Sequence, residues 1–187
     1  QTLSALLIGP GTSLSHDVLR ILARHGTTLV AVGTDATRLY TAPALGPDRS
    51  DLARAQARAW ADDKQRIAIA RKMYARRLGE VLPHTSIEVL RGIEGARVKE
   101  SYKLLAQSFG MQWRKRDYNR GNPDATDLAN QAVNHAATAV RSAAGVAVAA
   151  VSALPQLGFI HEDSDQSFVL DIADLYREAV TLRLAFS

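Results

Sequence analysis

The chain has 187 residues, 47% of them hydrophobic, enough for one or two domains with a real core. It contains no cysteine, which excludes disulfides, zinc ribbons and thiol catalysis and fits a reducing, cytoplasmic setting. The net charge of +4 and a pI near 9.6 reflect an excess of base that is unevenly spread, as suits a polyanionic partner. No signal peptide is visible, and the longest mostly apolar stretch, residues 143–154, is too short and alanine-rich to span a bilayer. Gln1 is not a start residue and the pattern stops midway at Ser187, so a fragment, or the ordered part of a longer chain, is expected.

Residues 4–8 read as a buried strand. Gly9-Pro10-Gly11 turns the chain, and Ser13 or Ser15 can cap a helix whose apolar face is Val18, Leu19 and Leu22 and which Gly26 ends. Residues 27–32, rich in β-branched side chains, form a second strand and residues 38–42 a third. Pro43, Gly46 and Pro47 then break regular structure and place a domain boundary, giving segments 1–45 and 46–187. The second segment reads as mostly helical. Ser50 opens a long helix toward Tyr74, bent near Asp62, and Thr85 or Ser86 opens another that runs to about Phe109. A loop over 113–123 precedes two helices within the alanine-rich residues 124–154, a short extended piece at 158–160 and a helix over 168–184. Strands followed by helices make an α+β chain.

Three residues far apart carry the most chemistry: Glu94, His161 and Asp174. Glu94 lies four residues after Leu90 and four before Val98, on the inward stripe of its helix with Ile87, Tyr102 and Leu105. A carboxylate buried there costs several kcal/mol unless a cation meets it. Either a metal ion or a neighbouring arginine satisfies that need. Asp171 and Asp174 are three apart and share a helical face, with Asp174 deeper in the pattern. Asp171 is either a further ligand or an acid of the first helical turn. His161 closes Gly158-Phe159-Ile160-His161, and residues 161–174 hold five acids in an otherwise basic chain. Two carboxylates and an imidazole suit Mg2+ or Mn2+, and such an ion can polarise a phosphodiester and activate a hydroxyl for in-line attack.

Base is concentrated in two places. Arg54, Arg58, Lys64, Arg66, Arg71, Lys72, Arg76 and Arg77 lie along residues 50–80, where an ordinary solvated helix is the simpler reading. Trp113-Arg114-Lys115-Arg116-Asp117-Tyr118-Asn119-Arg120 is more pointed, because arginines bind phosphate bidentately and Trp113 or Tyr118 can stack on an unpaired base. Gly9-Pro10-Gly11-Thr12-Ser13 lacks the lysine of a P-loop and reads as a turn before a helix, with a nucleotide-binding module as the weakest of the functional alternatives.

In order, Leu90-Arg91-Gly92-Ile93-Glu94-Gly95-Ala96-Arg97-Val98, Leu157-Gly158-Phe159-Ile160-His161 and Ser167-Phe168-Val169-Leu170-Asp171-Ile172-Ala173-Asp174 resemble the blocks of the CRISPR-associated spacer-acquisition integrases, the Cas-one family, and specifically its type I-E branch. The resemblance runs from Leu6 to about Phe186. It implies a small N-terminal β-domain, incomplete here, followed by a larger all-α catalytic domain whose C-terminal tail is missing. It implies a metal held by Glu94, His161 and Asp174, with Asp171 a further acid beside them. The implied reaction is metal-dependent transesterification and DNA cleavage, inserting protospacer DNA into the CRISPR repeat array. The implied partners are double-stranded DNA, a second copy of the chain in a homodimer, and a Cas-two family dimer; no membrane is involved. Arg38 and Arg66 match arginines on duplex phosphates, and Tyr118 and Arg116 match residues near the bound DNA end. Ser13, Arg141 and Ser164 depart from the pattern, standing where an arginine, a tyrosine and a lysine are expected. The alternative is a non-catalytic DNA-binding structural subunit with a vestigial metal site.

Overall fold

The computed structural model describes residues 3–34, 38–41, 50–117 and 126–187. The predicted linker at Pro43, Gly46 and Pro47, and Tyr118, lie outside the described residues.

Three short strands form one sheet in the order β1 (Ala5–Ile8), β2 (Thr28–Val32), β3 (Leu39–Thr41). β1 and β2 run parallel, joined through helix α1 (His16–His25), and β3 returns antiparallel to β2. Ser15, not Ser13, caps α1 by accepting from the Val18 N–H, and Gly26 ends the helix in the left-handed region at φ 61°. Of the predicted apolar face Leu22 is buried, Val18 is half-buried and Leu19 stays exposed.

The helical part begins with α2 (Asp51–Ala61) and α3 (Asp63–Leu78), which meet at the expected bend. Asp62 separates them because it is extended and its carboxylate caps Gln65 of α3. Ser86 caps α4 (Ile87–Ser108), whose Leu90 and Tyr102 are buried as the periodicity requires. The alanine-rich region forms a single helix, α5 (Leu128–Ala150), capped by Asp127, rather than two. Gly145 lies inside it without breaking it. A Cβ there would stand 2.4 Å from Leu39 of β3, so the glycine lets the sheet close on α5.

The expected extended piece at 158–160 is a turn without strand pairing. The last predicted helix is broken too. α6 (Ser167–Asp174) stops, a π-turn spans Arg177–Thr181, and α7 (Leu182–Phe186) completes it. One core gathers Ala70, Met73, Tyr74, Leu82, Leu90, Phe159 and Ile160 beneath α3 and α4. A second joins α4, α5 and α7 through Tyr102, Ala106, Val133, Leu182 and Phe186. No described helix is long and apolar enough to cross a membrane.

Candidate metal centre

The three predicted ligands converge from α4, the 151–166 loop and α6. Glu94 is on the inward stripe as expected, with 14% of its side chain exposed. Its cationic partner is an arginine. Arg77 of α3, with 3% of its side chain exposed, bonds Glu94 through Nη1, stands 3.6 Å from Asp174 Oδ2 and grips both oxygens of Glu178 at 3.0 Å. Arg177 takes the other oxygen of Asp174 at 2.5 Å. Burial opposes the charge of Arg77, yet the bonds to Glu178 and the charges of Glu94 and Asp174 hold the guanidinium above its ordinary value. Tyr74 donates to Glu94 at 3.2 Å, and burial followed by the Glu94 charge keeps this phenol protonated well above its usual range.

Asp171, the possible further ligand, supports the His161 loop in this structure. Its carboxylate accepts from the N–H groups of Phe159 at 2.6 Å, Ile160 at 3.1 Å and His161 at 3.0 Å, and from His161 Nδ1 at 2.7 Å. None of its side chain is exposed. It is in the second turn of α6, so it is not a first-turn acid. Because Nδ1 is bound to Asp171, the other ring nitrogen of His161 faces the site, with Nε2 4.0 Å from Asp174 Oδ2. A carboxylate behind a histidine is how metal-ligating imidazoles are commonly aimed. The Asp171 bond, against the pull of burial and with help from Asp174, raises the His161 pKa above its usual value.

The loop that presents His161 is tied down by side chains. Gln56 bonds the Leu154 and Leu157 carbonyls at 2.9 Å and the Leu154 N–H at 2.8 Å, and Trp60 donates to Gly158 O at 2.9 Å. Arg66 reaches Phe159 O at 3.4 Å and pairs with Glu162 at 2.6 Å, while Arg91 bonds Ile160 O. Arg66, which the resemblance places on a duplex phosphate, lies against this loop with 13% of its side chain exposed. Gly158 is required there, since a Cβ would fall 2.5 Å from His161 O and 2.8 Å from the Ser167 backbone.

Glu94, His161 and Asp174 are the donor types that Mg2+ or Mn2+ takes. In this arrangement their carboxylates are closed on Arg77 and Arg177, and no three acidic or histidine side chains among the described residues are grouped to hold an ion. Arg77 belongs to this interior network and not to the basic surface expected along residues 50–80. Its position after Ala70, Met73 and Tyr74 at helical spacing is the signal that places it inside.

Asp174 and Arg177 also line a groove of about 800 Å³ whose other walls carry Lys99, Lys103, Arg114, Lys115, Arg116 and Arg141. Arg116 is braced there by Asn130 at 3.0 Å and Asn134 at 2.5 Å. Trp113 is stacked on Tyr102 with ring centroids 4.7 Å apart and meets Phe186 edge-on, so its ring serves the core rather than standing free for a base. Arg38 and Arg141 share a second concavity of about 420 Å³ where β3 meets α5.

The family model for CRISPR associated protein Cas1 matches residues 73–187, the stretch that carries all four site acids and His161. The chain belongs to the Cas1 family. It is 37% identical over 186 residues to CRISPR-associated endonuclease Cas1 1 of Rhodospirillum rubrum, covering 99% of this chain and 59% of that protein. To CRISPR-associated endonuclease Cas1 of Escherichia coli K12 it is 36% identical, covering 99% and 61%. The chain thus spans about three-fifths of the curated Cas1 relatives it matches. Among solved structures, TtCas1 in a DNA complex superposes with a TM-score of 0.85 at 37% identity, covering 98% of this chain and 69% of that one. A casposase bound to integration product, at 19% identity and a TM-score of 0.70 over 97% of this chain and 59% of that one, shares the fold.

Proposed function

We propose that this chain carries the catalytic core of a CRISPR adaptation integrase, a metal-dependent enzyme that cuts DNA and joins protospacer ends to the CRISPR repeat. The observation that carries this reading is that His161 Nε2 and Glu94 stand close to Asp174, which itself lines a groove carrying several basic residues. Relatives described as endonucleases and a Cas1 structure with DNA support it.

Glu94, His161 and Asp174 would hold Mg2+ or Mn2+, which when bound supplies Lewis-acid polarisation of a phosphodiester and a more acidic attacking hydroxyl. The chain's own part is to aim and to gather. Asp171 fixes the imidazole so that Nε2 faces Asp174. Lys99, Lys103, Arg114 and Lys115 draw the phosphate backbone along the groove toward Asp174. Arg116, held by two asparagines, presents a guanidinium in fixed orientation, and Arg38 and Arg141 extend the basic track toward the sheet. Tyr118 belongs to the same reading as a residue near the DNA end.

The reading includes assignment to the type I-E branch, a division into a β-domain (1–45) and a catalytic domain (46–187), a homodimer, a Cas-two family partner and action in the cytoplasm. A second reading has one observation in its favour: Arg77 and Arg177 already neutralise Glu94 and Asp174, as they would in a structural subunit with a vestigial site.

Strand transfer separates the two. The full-length protein and its Cas-two partner would be given a labelled splayed duplex and a repeat-containing plasmid, with Mn2+ or with chelator. Products that need the ion and vanish in Glu94→Ala and His161→Ala establish the integrase. DNA binding without products in any of the proteins establishes the structural subunit.

A further inference from the structure

Arg77 divides its guanidinium between two tasks. Nε and Nη2 form a two-pronged bond with both oxygens of Glu178, while Nη1 alone faces Glu94 and Asp174. The three carboxylates come from α4, the end of α6 and the π-turn. Three such acids around one partly buried point repel one another strongly and need a fixed positive charge between them. Arginine supplies that charge at any pH at which the protein folds, and its planar fork can hold one acid bidentately while offering a further N–H elsewhere.

Resting on the metal-centre reading, we propose that Arg77 is the resident counter-cation of this centre. It holds Glu94 and Asp174 together in the ion-free protein and competes with a divalent ion for their oxygens. Glu178 is the anchor that keeps the guanidinium nearby when Nη1 gives way. The ion therefore binds against a built-in competitor, and its affinity is set in part by a residue that does not ligate it.

The test is binding rather than turnover. Full-length wild type, Arg77→Gln and Arg77→Lys would be titrated with Mn2+ by electron paramagnetic resonance and melted in chelator and in Mn2+. With the competing charge removed, Arg77→Gln is expected to bind Mn2+ roughly tenfold or more tightly, the effect of one charge at close range even in a well-screened setting. It is also expected to melt lower than wild type in chelator and to regain most of the loss with Mn2+. Arg77→Lys keeps a cation in the core but cannot hold Glu178 bidentately while reaching Glu94, so it should fold in chelator and still bind Mn2+ more tightly than wild type. Equal or weaker Mn2+ binding in Arg77→Lys overturns the inference, even if Arg77→Gln does not fold. If wild type binds Mn2+ and Glu94→Gln abolishes that binding while the Arg77 variants do not raise it, Arg77 fails and the metal reading stands. If neither wild type nor the variants bind Mn2+, both fail.

Discussion

Asp171 accepts three main-chain N–H groups and the ring of His161 from a position with no side-chain exposure. Asp171→Asn turns one acceptor into a donor facing donors, and the stranded amides should cost on the order of 3 kcal/mol, read as a lower urea midpoint at unchanged slope. The same variant frees the imidazole to rotate, so Mn2+ affinity should fall by the ~10- to 100-fold typical when a ligand loses its support. His161 gives a pH dependence of definite sign. Its pKa in the folded chain is raised above 6.5, so the protonated ring stabilises the fold fully below that value. That contribution is lost as pH rises through the raised pKa. In chelator, stability should therefore decline as pH rises from about 6.5 through the raised pKa, and His161→Gln should flatten the decline. Mn2+ binding should show the opposite trend, because only the neutral ring can ligate.

Among the elements, those written in local code were legible in the sequence. β2 declares itself by β-branched residues, α4 by a cap followed by helical spacing, and the join of α2 and α3 as a bend near Asp62. Elements set by distant partners were not. The alanine-rich stretch reads as two helices but forms one, and the reason for Gly145 inside it lies far along the chain, where a Leu39 methyl would stand 2.4 Å from a Cβ. Phe159 and Ile160 look like a strand because they are apolar, yet their N–H groups go to a carboxylate rather than to a neighbouring strand. Glu94 was legible as a charge on an apolar stripe, whereas Arg77 carried the same signal inside a run of bases that obscured it. The turn at Gly158 has no room for a methyl group. Gly158→Ala should cost about 1–3 kcal/mol and displace His161, seen as a lower melting temperature together with weaker Mn2+ binding.

Taken whole, the molecule sets one basic groove against the acid-rich junction of α4, α6 and the π-turn. If a nucleic-acid backbone follows that groove, affinity must fall with salt in proportion to the phosphates neutralised. Lys103→Ala and Arg141→Ala should each reduce the log–log salt slope by roughly 0.9, the share of one neutralised phosphate, leaving the melting temperature within about a degree of wild type. A slope unchanged in both would place the strand elsewhere. The π-turn at Arg177–Thr181 has a consequence for what the chain can tolerate there. Its wider turn accommodates one residue more than a regular helix, and each residue turns the chain by about 100°. Asp171 and Asp174 before it and the Leu182, Ala185 and Phe186 wedge after it are thus set in different helical phases. Removing a residue between 177 and 181 would leave composition and helix length almost untouched, yet the chain could no longer aim its charges and seat its wedge together, so at Ala179 and Val180 this phase shifter admits substitution far more readily than deletion.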